Sequence, residues 1–112
     1  MQPKKIGLAT LLAALLSAAA VGAASAAGAG PEAACNALAE ETRSAVVLKQ
    51  QGHPVDTAIR ILSSKPVPDT VPPDQVAFYK KQLPGAARFA YMAKMSGDGT
   101  AKFYLKQCRI GS

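Results

Sequence analysis

Few side chains in this sequence combine the types and spacings that chemistry needs. Cys35 and Cys108 lie far apart, so they form neither a Cys-x-x-Cys redox pair nor a haem-attachment signal. A free catalytic thiol would need an activating base, and His53, the single histidine, is the only candidate. His53 precedes Pro54 and reads as a turn residue, with a pH-sensitive contact as the lesser alternative. One histidine without further ligands makes no metal site. Glu40 and Glu41 are neighbours, and successive helical residues point about 100° apart. They therefore do not converge as an acid/base pair and are expected on a solvated helix face. The glycines around Asp98 lack the spaced carboxylates of a calcium loop. Gly-x-Ser-x-Gly and phosphate-cradling glycine patterns are absent from the sequence. No catalytic residue, metal or cofactor is assigned, and the cysteines read as a structural disulfide.

The beginning of the chain argues for the compartment in which such a bridge would persist. Lys4 and Lys5 precede a Leu-rich stretch from Ile6 to Leu16 and then a tail of small residues, the three parts of a secretory signal peptide. Removal after Ala26 is expected, with a second small-x-small site favouring Ala29. An uncleaved anchor is the rival, but beyond Val21 the run is almost all Ala, Gly and Ser, which insert poorly into lipid. The mature form is thus expected to have no transmembrane span and to work in the periplasm or outside the cell. Of the net charge of +6, Lys4 and Lys5 supply two. The remainder is basic enough for weak attraction to anionic surfaces, not for a specific nucleic-acid partner.

Residues 27–112 then form one small domain, near the size at which a core alone is marginal. Cys35, Leu38, Ala39, Thr42 and Val46 follow one helical stripe, with Pro31 and Glu32 at its start and Gly52 at its end. Val55, Ala58, Ile59 and Leu62 form a second stripe beside an expected Asp56–Arg60 ion pair, so the two helices make a hairpin. Residues 63–73 contain four prolines and read as an extended surface linker, or as a partner-binding segment. A third helix is expected from Asp74 to Leu83, ended by Pro84-Gly85. A fourth follows from Ala86 to about Met95, a turn from Ser96 to Gly99, and a final helix capped by Thr100. There Ala101, Tyr104, Leu105 and Cys108 share the apolar side.

Beside that side Lys102, Lys106 and Arg109 make a basic stripe. The aromatics Phe78, Tyr79, Phe89, Tyr91, Phe103 and Tyr104 all fall late in the chain. Most suit a helical core, but Phe103 falls off the Tyr104–Cys108 stripe and is expected as an exposed contact residue. Lys102, Phe103, Lys106 and Arg109 are the candidate surface contacts.

Cys35 at a helix head, Lys49-Gln50-Gln51-Gly52 at its end, Ala90-Tyr91, and Phe103-Tyr104-Leu105-Lys106-Gln107-Cys108 near the terminus make a recognisable set. The chain resembles a loose group of small, uncharacterised exported bacterial helical proteins, in which an early Cys, an (Arg/Lys)-Gln-x-Gly helix end, an Ala-Tyr pair and a terminal Tyr-Leu-x-Cys recur. Here Lys49 stands where arginine is usual, and the Pro-rich insertion is longer. The resemblance implies a helical fold with a disulfide and names no activity. In size, expected compartment and helical content the chain is also similar to periplasmic immunity proteins.

The expected architecture is all-α, a small bundle of four to five short helices stapled at its ends by a Cys35–Cys108 disulfide. The expected function is non-enzymatic: a protein-binding module, inhibitor-like or immunity-like, whose partner is another periplasmic or secreted protein. The alternative is a cationic binder of anionic polymer or membrane surface.

Overall fold

The computed structural model describes residues 30–111. The expected leader, residues 1–26 with its second cleavage point after Ala29, lies outside them. Helix α1 (Glu32–Gln50) follows the first apolar stripe, and all the later helices pack on it. Its buried side is largely alanine, with Ala34, Ala37, Ala39 and Ala45 around Leu38 and Val46. Such small side chains let neighbouring helices approach closely. Pro31 offers no side-chain cap. Gln75, distant in sequence, supplies one instead, its Oε1 accepting from Ala34 N at 2.8 Å and satisfying one of the orphan donors of the first turn.

Gly52 ends α1 as expected, at φ +90°. Gly52 N donates to Lys49 O and His53 N to Leu48 O, both at 3.0 Å, the paired bonds of a glycine-terminated helix. Helix α2 (Val55–Ser64) returns as the second arm of the hairpin, burying Ala58 and Leu62. The expected Asp56–Arg60 pair does not form; Arg60 instead donates to Thr57 Oγ1 one turn back.

Three further expectations are corrected. The Pro-rich segment is a surface connection only in part: residues 63–66, 69, 70 and 73 are exposed, but α2 runs through Ser64, Val71 is buried, and Val67 packs against the core. Its end tightens into a short 3-10 turn (Pro73–Gln75) that brings Gln75 to the α1 cap. Pro84-Gly85 does not break the chain, and a single helix α3 (Val76–Met92) carries Pro84 in its interior. Tyr79, Leu83, Ala86, Ala87 and Ala90 are all buried along one side of it. Splitting the helix would lose that continuous face against α1, so packing outweighs the roughly 3 kcal/mol that an interior proline costs. Finally, Ser96, not Thr100, caps α4 (Gly97–Ile110), accepting from Gly99 N at 3.1 Å. Thr100 is buried in the first turn, its hydroxyl donating to Ser96 O.

The fold is therefore an all-α bundle of four helices, with no strand among the described residues. Cys35 and Cys108 are bonded, with Cα atoms 5.7 Å apart. Cys35 is fully buried and Cys108 partly so, which joins the first turn of α1 to the last turn of α4. Gly30 seals this end: its N–H donates to Cys108 O at 3.0 Å. A Cβ there would stand 2.6 Å from Cys35 Sγ and 2.8 Å from Cys108 O, so only glycine fits without displacement.

Candidate functional site

His53 stays in the α1–α2 turn, where its carbonyl accepts from Tyr91 Oη at 2.7 Å. Among the described residues no three His, Cys, Asp or Glu side chains gather to hold a metal ion. Glu40 and Glu41 diverge as helical geometry requires, but only Glu40 is on a solvated face, where it pairs with Arg43. Glu41 is buried, a correction to the expectation for both. Its Oε2 accepts from Tyr79 Oη at 3.1 Å, and its Oε1 lies 3.1 Å from Lys65 Nζ, an ion-pair contact without hydrogen-bond alignment. Burial, then the Glu41 charge, then that hydrogen bond raise the Tyr79 pKa well above the ordinary phenol value. Lys65 heads the Pro-rich segment, so this cluster ties the segment to the bundle. A buried carboxylate must be paired, and Lys65 with Tyr79 meets that need.

The candidate contact residues lie on α4, and the structure divides them. Lys102, Lys106 and Arg109 are exposed on one flank. With Leu105 and Ile110 they line a shallow recess of about 500 Å³. From Lys102 and Leu105 a second recess, of about 580 Å³, continues into the seam between α4 and α1, where Ala33, Ala37 and Ala101 line it. Arg43 and Glu40 stand at its far edge. Arg43 is already bound, to Glu40 and to Asp98 at the start of α4. Lys102, Lys106 and Arg109 pair with no acid among the described residues.

Phe103 is exposed as expected, at 45%, but it belongs to neither recess. Its ring stacks on Phe89 of α3, centroids 5.7 Å apart and planes 7° from parallel, while Tyr104 meets Phe89 at a tilt. Helical phase explains the division, since Phe103 and Leu105 are about 200° apart around the axis. Sequence reasoning placed Leu105 only on the inward stripe, whereas it is half-buried and open to the recess. The α1 residues of the seam carried no signal of their own, because alanines on an amphipathic helix read only as core.

The arrangement holds no nucleophile beside a base. It offers an apolar trough with a rim of unpaired cations, which suits an apolar segment carrying carboxylates. No protein-family model, no curated protein and no solved structure matches the chain.

Proposed function

We propose that this protein is a non-enzymatic, exported protein-binding module, inhibitor-like or immunity-like, that takes an acidic partner along the α1–α4 seam. The observation that carries this reading is the recess at Leu105, apolar along its floor and edged by Lys102, Lys106 and Arg109 without acids of their own. Apolar floors give affinity when water is excluded, and charged rims set orientation and association rate. The disulfide supports an oxidising compartment, where such bridges persist, and no helix of the described residues is long and apolar enough to cross a membrane.

Affinity capture from periplasmic extract tests this directly. A partner retained at raised salt, and lost with Lys102→Glu or Arg109→Glu, is the expected result. Repeated capture of nothing, or of proteins that both variants retain equally, would overturn it.

A further inference from the structure

The outer faces of α3 and α4 form a second surface, which shares only Lys106 and Ile110 with the recesses. On α3, Lys81, Arg88 and Met92 fall in one row at i, i+7 and i+11, and all are exposed, Met92 at 74%. On α4, Phe103, Lys106 and Ile110 make a similar row at i, i+3 and i+7, with Phe103 at 45% and Ile110 at 62% exposure. The Phe89–Phe103 stack joins the two rows into one face.

Charge is segregated onto the same half of the fold. From Val76 to Gly111 seven Lys and Arg residues stand against one acid, Asp98, and that acid is held by Arg43 of α1. From Gly30 to Gln75 six acids outnumber four bases. The α3–α4 half of the molecule thus carries most of the excess positive charge together with exposed Met92, Phe103 and Ile110.

We infer that this α3–α4 face docks the protein onto a bilayer containing anionic phospholipid. Exposed Phe, Ile and Met among cations are the composition of helices that lie in the interface, apolar groups at the headgroup–acyl boundary and cations at the phosphates. Each Lys or Arg beside an anionic leaflet strengthens binding roughly fivefold. A single-stranded nucleic acid would need open aromatic faces to stack on, and Phe103 already gives one ring face to Phe89. This face meets the recess rim at Lys106 and Ile110, whereas the lining of the α1–α4 seam contributes no residue to it.

Co-sedimentation of the purified, oxidised protein with vesicles tests it. Vesicles of phosphatidylglycerol mixed with phosphatidylcholine should bind the protein, and vesicles of phosphatidylcholine alone should not. Arg88→Gln with Lys106→Gln should weaken binding about 25-fold, two cations at the figure above. Phe103→Ala should weaken it several-fold at a salt concentration where part of the attraction is screened. Both variants change exposed positions, and circular dichroism confirms that they fold. Equal binding to both vesicle types overturns the inference, as does no binding to either. Binding to heparin matching that to the anionic vesicles, and indifferent to Phe103→Ala, also overturns it and assigns the cations to soluble polyanions. A shift to dimer in solution that Phe103→Ala abolishes would overturn it in favour of a second copy of the chain.

Discussion

The two ends of the bundle are closed by different physics. At one end Cys35 and Cys108 are covalently joined, with Gly30 laid against both sulfurs. At the other, Lys49 Nζ donates to Tyr91 O at 2.9 Å and to Ala93 O at 3.4 Å, and Tyr91 Oη donates to His53 O. The first closure acts mainly on the unfolded chain, whose freedom a long cross-linked loop curtails. The second satisfies carbonyls left over at the end of α3 and in the α1–α2 turn, each bond contributing only a net ~1 kcal/mol. A core made so largely of alanine needs both.

The largest effect should come from Cys35→Ala with Cys108→Ala. Freeing the loop costs up to about 4.5 kcal/mol in the chain-entropy picture, read as a fall in the urea midpoint. A loss below about 1 kcal/mol would show that the covalent end matters no more than the hydrogen-bonded one. Gly30→Ala comes next, at about 1–3 kcal/mol, because its Cβ would overlap sulfur and backbone. In the cysteine-free background the penalty should shrink, since the nearest clashing atom is then gone, and a double-mutant cycle measures the coupling. Unchanged additivity would separate Gly30 from the bridge.

At the opposite end Tyr91→Phe should cost about 1 kcal/mol, and Lys49→Met about the same or less because its ammonium group is exposed. The two together should still fall short of the disulfide's contribution. Alkaline pH affects the interior between the two ends and has the smallest effect near neutrality. The pKa values of Tyr79 and Tyr104 are raised by burial above the ordinary 10.0, so above that pH the unfolded chain releases these protons first. Stability should therefore be flat in this respect below pH 10.0 and fall as pH rises beyond it. Denaturation midpoints across the alkaline range check the sign, and Tyr79→Phe should flatten the slope. An alkaline rise in stability would contradict the buried Glu41–Tyr79 arrangement.

Legibility differed by element. The stripes of α1 and α2, the Gly52 stop and the inward cysteines were readable because each depends on residues within a few turns. Lys49 and Tyr91 meet at the hydrogen-bonded end, with Gly52 and Ala90 close beside them in sequence. Pro84 misled because local propensity favours a break while the shared apolar face of α3 favours continuity. The Pro-rich segment misled for the opposite reason: its two valines gave no periodic signal, yet Val71 is buried in the core and Val67 packs against it. Glu41 looked solvated because nothing nearby in sequence shows that Tyr79 and Lys65 come to cover it.

By itself, the sequence determined the helical class, the ends of α1, the exposure of Phe103 and the placing of both sulfurs toward the interior, since hydrophobic phase and glycine geometry act locally. Tertiary structure alone decided that α3 would run through a proline, that Gln75 would cap α1 and that Glu41 would be buried. It also decided that Lys102, Lys106 and Arg109 would edge a recess while Phe103 turned to Phe89. These outcomes depend on which surfaces meet across many residues, and the energy of meeting exceeds the preference of any single segment.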